Sequence, residues 1–201
     1  MTYPEVRKNI PYNLAVNLLD GSFFGFALGF ASFITILPLF VSTMTNSAVL
    51  IGLIPAIHSV GWQFPQLLTA YDVSRQSIYK RMVVRLTLHE RLPFLGLAAV
   101  AFFLPILGTK NALVLTFLLL IWQGLGAGVT ATAWQSMIAK VFPSEFHGTF
   151  YGIQSSAANL MAVYPRSSLD LFLRNSMPLK TLHYAFYLPR YLWRFPGASS
   201  L

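Results

Sequence analysis

Few side chains in this sequence can do chemistry, and the two most suggestive border or interrupt apolar runs. Asp20 precedes a charge-free run from Gly21 to Val41, and His58 lies near the middle of another, Val49 to Leu68. A carboxylate or an imidazole in such a place could relay protons or hold a cation on a path across lipid, because ionisable groups are costly there and mark such paths. Each also has a plainer reading. Asp20 at the start of a helix would be favoured by the macrodipole and wetted by headgroups, and His58 could simply bond across a helix interface. Further along, Gln123, Ala127, Thr130 and Trp134 share one stripe at helical spacing, with Gly124, Gly128, Ala131 and Gln135 on the next. The first stripe suits the lining of a solute cavity and the second suits close packing. Ordinary interhelical hydrogen bonds, about 0.6 kcal/mol each, explain the polar members equally well.

Other chemistries are absent from the pattern. There is no cysteine, so disulfides, thiolate metal sites and cysteine nucleophiles are all excluded. His89-Glu90 lacks a second histidine at metal spacing, and Ser155-Ser156 has no nucleophile elbow around it. Gly124-x-Gly126 carries Val129 where a dinucleotide fingerprint needs its third glycine. No metal, no cofactor and no enzymatic activity are expected.

The elements that must position these residues are membrane spans. The chain of 201 residues is 55% hydrophobic and only 10% charged, against the usual ~25%. Asn111 to Ala139 runs without a charge between Lys110 and Lys140. As a helix it would cover roughly 44 Å, enough for a tilted crossing of the ~30 Å hydrocarbon layer. Its Gly124, Gly126 and Gly128 would weaken a helix in water by about 1 kcal/mol each, whereas in lipid they let a neighbour approach. A first span is expected over Gly21 to Val41, with Gly21, Gly25 and Gly29 recurring every four residues as a packing face. A second span, Val49 to Leu68, contains Pro55 and Pro65. A charged loop with Asp72, Arg75, Lys80 and Arg81 follows. A third span starts near Met82, with Arg85 reaching back to the interface and Glu90 and Arg91 paired with each other or with a neighbouring helix. Ile106 to Asn111 reads as a turn. A fifth span starts near Gly148 and stops at Tyr164-Pro165-Arg166, since Pro165 biases its predecessor away from helix.

Net charge is +8, which in a soluble protein would suggest nucleic acid. Position gives another cause. With the N-terminus in the cytoplasm, the inner segments hold Arg7, Lys8, Arg75, Lys80, Arg81, Arg85 and Lys140, and the outer ones only Lys110. Such a bias sets orientation, so the N-terminus is placed inside and no nucleic-acid partner is needed.

The run through Gln123, Gly124, Gly126, Gly128, Pro143, Glu145, Gly148, Phe150 and Gly152 resembles the fourth span, the next loop and the fifth-span start of major facilitator superfamily transporters. That family's pattern is Arg-x-x-Gln-Gly-x-Gly-x-Gly, then Pro, a Glu-Arg-Arg-Gly-type loop and Phe-Gly. Here the arginine position falls in apolar Leu119 to Ile121, and Phe146 and His147 replace the loop arginines. The family's Gly-x-x-x-Asp-Arg-x-Gly-Arg-Arg loop keeps only Asp72 and scattered basic residues. The resemblance covers roughly residues 12–163.

It implies an all-α, polytopic bundle of about four to five spans, a partial major facilitator fold in the plasma (inner) membrane. It also implies secondary transport of a small solute between two six-helix halves, with the first and fourth spans lining the cavity. The partners are then the bilayer, an unknown solute and a C-terminal half. Residues 1–17 form a cytoplasmic segment, 18–163 the spans, and 164–201 a basic, aromatic tail foreign to the fold. The tail is expected to result from a frameshift or truncation in a longer transporter gene, which would leave the chain inactive alone. The rival reading is a small non-transporting membrane scaffold that docks through its glycine ladders.

Overall fold

The computed structural model describes residues 7–76 and 79–176, with side chains through Pro165. Six α-helices occupy these residues: α1 Ile10–Phe30, α2 Ile36–Ser42, α3 Ala48–Ser74, α4 Tyr79–Phe102, α5 Leu104–Val141 and α6 His147–Ser176. A short 3-10 turn, Ser144–Phe146, links the last two, and no strand occurs among the described residues. The all-α reading of the sequence is correct, and its cause is general. In lipid a chain must satisfy its backbone polar groups internally, so an apolar run crosses as a helix. α1, α3 and α5 are long and apolar enough to span. α4 carries Lys80, Arg81, Arg85, Glu90 and Arg91, and falls outside that group.

The first span departs from the expected bounds. α1 starts at Ile10 with Pro11 in its first turn, where a missing N–H costs nothing. It ends at Phe30, and Ser32 Oγ then accepts from the amides of Ile34 and Thr35 across a break before α2. Residues 10–17 are therefore helical, and Asp20 lies at the middle of α1 instead of at its N-terminus. The turn expected over Ile106 to Asn111 narrows to Gly108, whose φ of +73° sits inside an otherwise continuous helix. α3 reaches Ser74, so Asp72 belongs to its last turn, Arg75 caps it, and Lys80 and Arg81 begin α4. α6 does not stop at Pro165 but runs on to Ser176. Pro165 is buried, and it fills space that a glycine leaves free: a Cβ on Gly29 would lie 2.8 Å from Pro165 Cγ. The rest of the basic aromatic tail lies outside the described residues.

Glycines set how the helices pair. α1 packs along α6, and α5 packs along both α3 and α4. A side chain on Gly25 would run into the backbone of Ala158. At the α3–α5 crossing Gly61 faces Gly124, and a Cβ on Gly61 would sit 2.8 Å from Gly124 Cα. A Cβ on Gly126 would meet the His89 carbonyl of α4 at 2.6 Å. Large apolar side chains such as Val49, Leu67 and Ile106 point outward, 78%, 81% and 82% exposed. That surface matches hydrocarbon, not water. The chain is an integral membrane protein.

Candidate functional site

Two polar pairs form between helices inside the apolar zone. The first joins α3 to α5. His58 Nδ1 lies 3.3 Å from Gln123 Oε1. An amide oxygen only accepts, so Nδ1 carries the proton and donates. Phe33, in the break after α1, stacks on the imidazole with centroids 3.8 Å apart and planes 10° from parallel. Trp62 closes another side edge-on at 6.3 Å. The three sequence-distant pieces that hold the ring are thus the α1–α2 break, α3 and α5.

Gln123 is 1% exposed and Thr130 is 6% exposed. Thr130 Oγ1 donates to the Gly126 carbonyl one turn back, at 2.8 Å. Both side chains are covered by neighbouring helices. The reason is the tight approach that Gly61, Gly124 and Gly126 permit, which closes α3 and α4 over that face of α5. Trp134 belongs elsewhere. It packs against Phe150 and Tyr151 of α6, at centroid distances of 6.1 and 6.0 Å. Gly128 meets α3, where a Cβ would lie 2.6 Å from the Gly61 carbonyl. Gln135, on the stripe read as packing, is exposed.

The second pair joins α1 to α4. Arg91 Nη2 donates to Asp20 Oδ1 at 2.7 Å, with the two side chains 47% and 55% exposed. The guanidinium also lies over the Phe24 ring at 5.6 Å. Arg91 borders an open cavity of about 550 Å³ between α1, α2 and α4, walled otherwise by apolar groups including Phe23, Phe24, Phe30, Phe94 and Leu97. The partner of Asp20 is what sequence reasoning did not find. Its one signal was a charged dipeptide, Glu90-Arg91, in the middle of the helix expected as the third span, where a bare charge is costly.

The remaining predicted residues are apart from both pairs. Gly21, Gly25 and Gly29 are buried against α6. Arg75 lies over Tyr71 at 4.4 Å, and Lys140 lies over Tyr79 at 4.3 Å, near the ends of α3, α4 and α5. Arg7 reaches Glu145 at 3.3 Å, linking the chain before α1 to the turn before α6. No cluster able to hold a metal ion occurs among the described residues.

Residues 9–164 match the family model described as Major Facilitator Superfamily. Comparisons with curated proteins and with solved structures gave no match.

Proposed function

We propose, for a chain that belongs to the Major Facilitator Superfamily, that its helices form the N-terminal part of a secondary transporter for a small solute. Such proteins work by rocking one helix bundle against another around a site near the bilayer midplane. The observation that carries the reading is the pair of polar bridges, Asp20–Arg91 and His58–Gln123, each joining two helices within apolar surroundings. A bundle that only anchored itself in lipid would gain little from them, since such bonds average about 0.6 kcal/mol. A bundle that must change partners gains contacts it can break at small cost.

In this reading the glycine-sealed pair α1–α6 moves as a stiff body against α3, α4 and α5. Asp20, His58, Gln123, Thr130 and Trp134 are the candidate pathway residues, exposed in turn as those bodies shift. The N-terminus faces the cytoplasm of a plasma membrane, on the count of basic residues. A second bundle supplies the other wall of the path, so the chain alone does not carry solute. The function is transport, not catalysis of a reaction.

A thermal-shift screen of small polar solutes on the purified protein tests this. A solute that binds the folded state raises its melting midpoint by mass action. One chemical class should do so, and the shift should vanish in His58→Ala or Asp20→Asn. A broad panel with no stabilising solute would count against a transport site. Isolation of a defined hetero-complex would favour a scaffold instead, held through another surface, since α6 covers the Gly21/Gly25/Gly29 face.

A further inference from the structure

We propose that Glu90 is a proton-binding site of the protein, part of a three-charge cluster in which Arg91 is already committed to Asp20. The arithmetic of the cluster points there. Asp20 and Glu90 are two carboxylates, and among the described residues Arg91 is the one guanidinium within their reach. Asp20 holds that guanidinium directly, at 2.7 Å. Glu90 makes no ion pair among the described residues, although it is half-buried and stands beside the same arginine.

Among the described residues no other charge compensates it. On its own helix the neighbours are Arg91 and exposed His89, with Arg85 more than one turn away and exposed. From α1 the facing group is Asp20, a like charge. α5 packs along α4 and has no charged residue between Lys110 and Lys140. Glu90 is the twelfth of the 24 residues of α4, and Asp20 the eleventh of the 21 of α1, so both lie at mid-helix. A second carboxylate charge in that position is unneutralised in a medium where an ionised side chain costs ~2.5–3.5 kcal/mol even on a lenient scale. One proton makes the cluster neutral. The carboxyl that takes it is the one without an arginine, because two neighbouring carboxylates do not ionise equally.

An opening to the outside reaches Arg91, next to Glu90 in sequence. The cavity between α1, α2 and α4 is open and has Arg91 on its wall. Binding adds one proton to a Glu90 carboxylate oxygen, removes one negative charge and leaves the Asp20–Arg91 bond in place. Proton uptake stands independently of solute movement, and only its use as a coupling step rests on the transport reading.

Infrared spectroscopy of the protein in lipid vesicles tests the assignment through the carbonyl stretch of an un-ionised carboxylic acid. At neutral pH, well above the ~4 at which exposed carboxyls ionise, the spectrum should contain one carboxyl's intensity of this band. Glu90→Gln should remove it with the amide bands unchanged. Asp20→Asn should let Arg91 pair with Glu90, so the band should then appear only at lower pH. Asp72→Asn, on the exposed end of α3, should leave it as it was. A band that survives Glu90→Gln, or no band in the wild type at neutral pH, overturns the proposal. A protein that shows the band yet binds no solute leaves the proton site standing and removes the transport reading instead.

Discussion

Gly128→Leu tests how the bundle is held together, because its cost follows from the geometry. A Cβ at this position would lie 2.5 Å from the Trp62 carbonyl, 2.6 Å from that of Gly61 and 3.0 Å from Pro65 Cδ. The obstacles are two backbone carbonyls and a proline ring, none of which can rotate aside. Ordinary carbon contacts need about 3.5 Å or more, so even alanine forces α3 and α5 apart by nearly an ångström. Overpacking of this kind costs typically 1–3 kcal/mol, and leucine adds three further carbons that must also be placed. Leucine should therefore cost at least about 3 kcal/mol and separate the two helices. Separation would also break the nearby His58–Gln123 bond, which joins the same two helices.

Leu118→Ile is the control, since Leu118 is 59% exposed on a lipid-facing side of the same helix. It should cost under about 0.5 kcal/mol. The assay is denaturant-driven unfolding in mixed micelles, followed by tryptophan fluorescence, to which Trp62 on α3 and Trp122 and Trp134 on α5 contribute. Equal losses from the two variants would refute the packing argument.

Further tests address orientation, backbone and the buried amide. A thiol introduced at Thr45 should be labelled by an impermeant reagent outside intact cells, and one at Gln76 should be protected; the opposite pattern would reverse the topology. Gly108→Ala should destabilise by about 1 kcal/mol in the same unfolding assay. Nothing lies within 4 Å of its missing Cβ, so the loss would come from the positive φ alone. Gln123→Leu removes the acceptor of His58 and should cost about 1–3 kcal/mol, while Gln123→Asn should recover little because the shorter side chain does not reach. An unchanged unfolding midpoint in Gln123→Leu would mean the His58 bond contributes nothing.

The fold class was legible because charge-free length converts into helix under the demands of lipid. Helix ends were less so. The charge-free run starts at Gly21, yet α1 starts at Ile10, because Asp20 is accommodated inside the helix by an arginine 71 positions away. No local pattern contains that partner. The stripe of Gln123 and Thr130 identified a polar side of α5, but not what covers it. Whether such a side meets a cavity or a neighbour depends on how close α3 and α4 come, and that is fixed by glycines on both partners. Pro165 shows the same limit. Its local effect opposes a helix, and a tertiary fit against Gly29 prevails.

The claim that this chain forms one wall of a solute path is tested most directly by reconstitution. Liposomes containing the chain alone would be compared with liposomes containing the chain co-expressed with the C-terminal half of a family member. Uptake would be followed for the solute class identified by thermal shift. The expected result is no uptake above protein-free vesicles for the chain alone, uptake with the second half present, and loss of that uptake in Gly128→Leu. Uptake by the chain alone would contradict the account, and so would a complemented bundle that folds, binds the solute and moves none.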